Sequence, residues 1–214
     1  MPLIIYGASS ALGTFAVKLA KSAGVHPIIA VCGSSKAYVS GLLDPMRGDA
    51  VVDYRQSPEA MIQEVRTKLG PLTARHALDA ISADGSWLPL TQLVSPKGGQ
   101  VSVVSGSNAY DEAVIPAGVQ LIYTFVGTAH SGDYLPSMPK QPIENKEAIR
   151  SDVEFAYLMM RYIGRMLNHG RFEGHPYEVI PGGLNGVQTG LQRLSKGQAK
   201  GLKFVYRISE TDAK

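Results

Sequence analysis

Short apolar runs alternate with helical stretches through the first half of the chain. Leu3-Ile4-Ile5-Tyr6 is apolar, partly β-branched and ends at Gly7, which predicts a buried strand. Leu12, Phe15, Ala16, Leu19 and Ala20 then recur at helical spacing, Lys18 and Lys21 fall on the other face, and Gly24 closes the helix. Pro27 to Val31 predicts a second strand, Lys36 to Leu43 a short helix, and Ala50 to Asp53 a third strand. Pro58 stands at a first-turn position of a helix that stops before Gly70-Pro71. His76 to Ile81 predicts a fourth strand, Trp87 to Val94 a fourth helix, and Gln100 to Val104 a fifth strand after the Gly98-Gly99 turn. Strands and helices in this alternation imply a parallel sheet covered on both faces, an α/β doubly wound, Rossmann-like fold.

The second half is patterned differently. Val119 to Val126 predicts another strand, and His130 to Asn145, with Pro136, Pro139 and Pro142, a loop. Ala148 to Asn168 carries the longest helical pattern, with two apolar stripes. One is Ile149, Val153, Ala156, Met160, Ile163 and Leu167; the other is Phe155, Leu158, Met159, Tyr162 and Met166. A helix apolar on two sides is buried on two sides or lacks a neighbour, and the expectation favours burial. The chain closes with a strand at Glu178 to Ile180, a helix from Leu184 to Leu194 and a strand from Lys203 to Arg207, a β-α-β tail.

The first strand-to-helix turn is the place where chemistry is expected. The three-glycine dinucleotide fingerprint fails there, because the positions counted back from Gly13 read Ala8, Ser10 and Gly13. What stands instead is Gly7-x-x-Ser10-x-x-Gly13. Gly7 permits a sharp turn, the small Ala8, Ser9, Ser10 and Ala11 leave room for a pyrophosphate, and Gly13 lets the helix pack closely on the sheet. Free N–H groups at the helix start, next to Leu12, then face the anion. A structural tight turn is the competing reading, and a P-loop is excluded by the absence of a Gly-Lys-Ser/Thr triplet.

The end of the second strand bears on which dinucleotide binds. An NAD site places a carboxylate there for the ribose hydroxyls. Here the residues are Cys32-Gly33-Ser34-Ser35-Lys36, with no acidic residue before Asp44. Hydroxyls and an ammonium suit a 2′-phosphate that a carboxylate would repel, so NADPH is the expected cofactor. The bland alternative for Lys36 is a solvated first-turn lysine, and for Tyr54 a half-buried strand-end tyrosine. Asp79 reads equally as a turn cap or as a residue beside the adenosine.

Composition narrows the partners. A chain of 214 residues holds one well-buried domain and an appendage, and 44% hydrophobic with 18% charged residues is an ordinary globular balance. The net charge of +3 is small and its lysines and arginines are scattered, which gives no footprint for nucleic acid. No apolar run reaches the roughly 18 residues of a membrane span, and the N-terminal residues lack the basic start of a signal peptide. The single Cys32 excludes an internal disulfide and favours a reducing compartment, so a cytoplasmic location is expected. It also cannot form the cysteine cluster of a structural zinc site. His26, His76, His130, His169 and His175 are dispersed, with no carboxylate set in sequence, and read as surface or packing residues. None of the ten tyrosines has a lysine four residues on, and no Gly-x-Ser-x-Gly elbow occurs.

Together, "YGASSALGTFAVKLAKSAG", "DAVVDYR", "ALDAIS", "GGQVSVVS", "HPYEVIPGGLNGV" and "LSKGQAKGLKFVYRI" resemble the zinc-free branch of the medium-chain dehydrogenase/reductase superfamily. They are most similar to the fungal enoyl reductases that act in trans with polyketide synthases and to their quinone oxidoreductase-like relatives. The resemblance implies a pyrophosphate site at Ser9, Ser10, Ala11 and Leu12. It places the 2′-phosphate side at Gly33, Ser34, Ser35 and Lys36 with Tyr54, the nicotinamide beside Val104 and Ser105, and the substrate side at Phe125, Val126, Gly127 and Thr128. A cofactor contact at Lys200-Gly201 is a further carry-over. The resemblance also implies division into a cofactor domain, 1–176, and a tail, 177–214, that in the family returns to a GroES-like catalytic lobe preceding the cofactor lobe. It implies hydride transfer from NADPH to an activated C=C of a small or carrier-bound enoyl substrate, with much of the pocket supplied by that lobe, so that this chain is expected to lack a complete active site on its own. A non-catalytic NADPH-binding module, or a fold that has lost the cofactor, are the alternatives. Exposed strand edges and the second stripe of the long helix lead to the expectation of a homodimer.

Overall fold

A computed structural model describes residues 1–106, 108–123, 125–129 and 146–212, and for 146–149 the backbone alone. In chain order its main elements are β1 (Leu3–Tyr6), α1 (Ala11–Ser22), β2 (Ile28–Cys32), α2 (Lys36–Leu42), β3 (Ala50–Asp53), α3 (Pro58–Leu69) and β4 (His76–Asp79). There follow α4 (Trp87–Thr91), β5 (Gly99–Val103), β6 (Val119–Tyr123), α5 (Lys146–Asn168), β7 (Tyr177–Val179), α6 (Val187–Ser195) and β8 (Lys203–Val205). The first six strands form a parallel sheet in the order β3-β2-β1-β4-β5-β6. Chain order reverses on either side of β1, and such a switch point opens a crevice at the carboxyl ends of the strands.

The alternating pleat divides the core in two. Ile4, Ile29, Val31 and Val52 point to one face, where Met61, Val65 and Leu69 of α3 and Trp87 and Leu90 of α4 cover them. Ile5, Ile28, Ala30 and Cys32 point to the other, under Val17 and Ala20 of α1 and Val39 of α2. Every residue of β2 is therefore buried, as a strand covered on both sides requires. Ser10 caps α1 through the Gly13 amide, and Ser57 caps α3 with Pro58 in its first turn.

Several boundaries differ from the sequence pattern. β6 ends at Tyr123, and Val126–Ala129 forms a 3-10 turn in which the Thr128 amide and hydroxyl both donate to the Phe125 carbonyl. α4 stops at Thr91 because Val94 is drawn into a β-bridge with Ala74. α6 begins at Val187, after a 3-10 turn over Gly183–Gly186. The loop expected at 130–145 lies outside the described residues.

The larger correction concerns α5. The expectation of burial on two sides fails: Phe155, Leu158 and Met160 are each more than 60% exposed. The covered line runs through Val153, Ala156, Met159 and Ile163 to the buried Met166, taking members of both apolar stripes. The tail is a β-α-β unit as expected, with β7 and β8 parallel. The Arg193 guanidinium of α6 grips Glu178 of β7 at 2.6 and 3.0 Å and lies over the Phe204 ring of β8. Lys18 of α1 holds the segment that leads into the tail by donating to the Glu173 and Gly174 carbonyls.

Candidate functional site

The β1–α1 turn has the form that the sequence predicts. Gly7 sits at φ 74°, a region that costs residues with a Cβ about 1–2 kcal/mol. A Cβ at Gly13 would overlap the Gly7 carbonyl and the Ala8 backbone, so the helix start reaches this close only with glycine there. The Ser10 hydroxyl accepts from the Gly13 amide at 3.0 Å and the Ser10 carbonyl from the Thr14 amide. Among the described residues the Ala11 and Leu12 amides have no protein acceptor. These two N–H groups stand at the positive end of a twelve-residue helix whose first turn holds no acidic side chain. Leu12 is itself exposed beside them. Small residues, two amides without a protein acceptor among the described residues and a positive helix end are the features that an anion site at a helix start requires.

The second expected group gathers at the ends of β2 and β3. Gly33 is buried under the Tyr54 ring, and a Cβ there would come within 2.9 Å of Tyr54 Cε1. Tyr54 in turn lies 5.7 Å from the Tyr6 ring at the end of β1. Ser34 and Lys36 are exposed, and Ser35 and Lys36 begin α2. The inference that no carboxylate stands here needs correction. Register pairs Asp53, the last residue of β3, with Cys32, the last of β2. Counting along one strand missed a carboxylate that the neighbouring strand supplies. Arg55 neutralises it: its Nε and Nη2 reach the two Asp53 oxygens at 2.9 and 2.6 Å, and the pair holds Asp53 down to about 2. Cys32 is buried and its thiol is pushed up to about 11, chiefly by desolvation and then by Asp53, against Lys36 and Arg55. It is a packed thiol.

Asp79, at the end of β4 beside Tyr6 in register, caps a turn. It is fully buried, and its Oδ1 accepts the Ile81 and Ser82 amides while Oδ2 accepts the Ser86 hydroxyl. Ser82 takes a left-handed φ of 51° and links onward. Its hydroxyl accepts the Val104 amide at 2.9 Å, and its carbonyl accepts from Asn108 Nδ2. Tyr110 donates to the Ser105 carbonyl at 2.6 Å. The Ile81 side chain packs over Gly7, so one polar knot braces both the first turn and the Val104-Ser105 end of β5. Nothing local in the sequence pairs Ser82 with Val104, 22 residues away.

The remaining expected residues lie on the same edge or reach it. Phe125 follows β6, its ring lies over Gly127, and Val126 is exposed. The Lys200-Gly201 turn of the tail comes to the start of α2, where a Cβ on Gly201 would meet Ser35 Oγ at 2.9 Å. One of the histidines is a packing residue with a carboxylate partner: the His26 side chain is only 6% exposed, and its Nδ1 lies 2.8 Å from Asp49, which also accepts the Ile28 and Asp44 amides. This pair sits at the amino end of β2, away from the crevice. No group of three or more potential metal ligands occurs among the described residues, and no described helix is long and apolar enough to cross a membrane.

The sheet order, the switch point and the glycine-bounded turn are those of a doubly wound dinucleotide-binding fold, and similarity to curated trans-enoyl reductases shows that the chain belongs to the medium-chain dehydrogenase/reductase superfamily. Its relatives by sequence are fungal trans-enoyl reductases. Trans-enoyl reductase fsr4 of Gibberella fujikuroi is 32% identical over 186 residues, covering 87% of this chain and 49% of its own length. Trans-enoyl reductase ACTTS2 of Alternaria alternata is 30% identical over 208 residues, covering 96% and 54%. The chain thus spans about half the length of the curated relatives it matches. Among solved structures, the CurK enoyl reductase aligns with a TM-score of 0.64 at 13% identity, over 95% of this chain and 55% of that one. A mycobacterial protein solved with NADPH aligns with a TM-score of 0.55 at 16% identity, over 84% and 49%. At these identities the solved structures establish the fold. No family model matches the chain.

Proposed function

We propose that this chain is the NADPH-binding part of an oxidoreductase of the enoyl reductase or quinone reductase type. The observation that carries the reading is the turn from Gly7 to Gly13, where a close glycine-bounded approach and two amides without a protein acceptor among the described residues stand at a helix start. Residues 1–176 would hold the dinucleotide. Ser9, Ser10, Ala11 and Leu12 receive its pyrophosphate, Gly33 to Lys36 with Tyr54 its phosphorylated ribose, and Val104 and Ser105 its nicotinamide end. The tail from 177 contributes the Lys200-Gly201 turn. When bound, NADPH supplies the hydride that reduces an activated carbon–carbon double bond. The chain's own part is to orient the dinucleotide and, through Phe125 to Thr128, to bound the space on the substrate side. The similarity to trans-enoyl reductases supports an enoyl substrate.

Two measurements test this. Calorimetric titration should show NADPH binding more tightly than NADH; equal affinity, or a preference for NADH, would count against the 2′-phosphate assignment. NADPH absorbance, followed with a quinone or an enoyl thioester, should fall where this chain carries enough of the pocket for turnover; NADPH binding without any consumption fits the cofactor-binding part of such an enzyme as well as a non-catalytic NADPH-binding module.

A further inference from the structure

We infer that Arg55, by clamping Asp53, sets the preference of this site for a ribose 2′-phosphate over a 2′-hydroxyl. The inference rests on the NADPH reading above and concerns how that selectivity is built. β3 delivers Asp53 beside Cys32, at the strand end from which Gly33 to Lys36 continue. A free carboxylate at that edge is the feature that recruits a ribose diol and repels a phosphate dianion. Here it is not free. The Arg55 backbone amide and Nε both donate to Asp53 Oδ1 at 2.9 Å, and Nη2 donates to Oδ2 at 2.6 Å, so both oxygens are engaged by one fork.

At the Cys32 thiol, Lys36 and Arg55 act against Asp53. Without Arg55 the carboxylate is released. Tyr54, between the two partners in sequence, covers Gly33, and Asp53 pairs in register with Cys32, so the pair adjoins the segment expected to meet the ribose. The Arg55 side chain is 55% exposed. The fold does not lean on it, so its effect should be read in ligand choice rather than in folding.

The test is a calorimetric cycle on the full chain: wild type, Arg55→Gln, Arg55→Lys, Asp53→Asn and the double variant Asp53→Asn/Arg55→Gln, each titrated with NADPH and with NADH. Arg55→Gln is expected to weaken NADPH at least tenfold while leaving NADH unchanged or tighter. Arg55→Lys, which keeps the charge and loses the fork, should fall between. The double variant should recover most of the NADPH affinity, because the repelling carboxylate has gone with its clamp. A purely structural role would weaken both ligands together in Arg55→Gln, and that result, an unchanged ratio, or no recovery in the double variant overturns the inference. A wild type that binds the two cofactors equally, or neither, overturns the NADPH reading beneath it. A wild type that prefers NADPH, with an Arg55→Gln variant of the same preference, overturns this inference alone.

Discussion

The Ser86 hydroxyl donates a 2.6 Å hydrogen bond to Asp79 Oδ2, and both side chains are sealed from solvent. With the Ile81 and Ser82 amides on Oδ1, this bond fixes the turn that packs Ile81 over Gly7 and holds Ser82 against the Val104 amide. The polar groups of the turn are buried, so each lost partner leaves an acceptor without hydration. Ser86→Ala is expected to cost about 1–3 kcal/mol of stability in urea unfolding. Asp79→Ala should cost more, since it strands two amides and a hydroxyl at once. The same variants should loosen cofactor binding at the nicotinamide end, so that NADPH loses more affinity than 2′,5′-ADP, which lacks that half. A Ser86→Ala protein as stable as wild type would show that the knot contributes nothing.

The first turn of α1 allows two effects of opposite sign to be separated. No acidic residue stands there, and the Ala11 and Leu12 amides are unpaired among the described residues. Ala11→Asp places a negative charge at the positive end of the helix, which should raise stability by about 0.3–1 kcal/mol. The same carboxylate would occupy the anion's place and repel a pyrophosphate, so NADPH affinity should fall at least tenfold. Thermal melting and calorimetry on one variant check both. A protein that melts higher and binds NADPH as before would move the phosphates elsewhere.

Much of this fold is legible from period and punctuation. The strands covered on both faces read as apolar runs, Ser10 and Ser57 stand where helix caps belong, and the glycines at 7 and 13 mark a close approach. From the residue pattern alone the candidate site was legible only where its residues are neighbours in sequence; the grouping of Tyr54 with Gly33, and of Lys200-Gly201 with the start of α2, came from the family resemblance. Asp53 reaches Cys32 through strand register, and Ser82 reaches Val104 across two strand ends, relationships that a linear pattern does not carry. The error at α5 has a different origin. Hydrophobic periodicity reports which positions are apolar, and Phe155, Leu158 and Met160 are apolar yet exposed. Periodicity alone cannot say which stripe a neighbour covers.

Cys32 gives a pH dependence with a defined sign. Its thiol rises from 9.0 to about 11 in the folded protein, chiefly because burial disfavours the thiolate. The unfolded chain therefore releases the proton first as pH rises. The stabilisation is fully present below pH 9 and is lost between 9 and about 11, as the unfolded state comes to bind fewer protons than the native one. Alkylation of the native protein by iodoacetamide should be negligible at pH 8 and speed up only on unfolding or near pH 11. Prompt alkylation at pH 8 would mean an accessible, activated thiol and would reopen the question of its chemistry.

Helix α5 sets exposed and covered apolar side chains within about three turns of each other. Phe155 and Leu158 are both 64% exposed, whereas Met166 is 4% exposed and its sulfur accepts a hydrogen bond from Ser22 of α1. Removing an exposed apolar group forfeits little burial, so Phe155→Ser/Leu158→Ser should change unfolding free energy by no more than about 0.5 kcal/mol per site. Met166→Ala opens a cavity between α5 and α1 and should cost about 2–5 kcal/mol. Urea denaturation of both variants at two protein concentrations decides the matter. Equal losses at low concentration would place Phe155 and Leu158 inside the fold. A loss in the double serine variant that grows with wild-type concentration would instead mean that this face is covered by a second copy in solution.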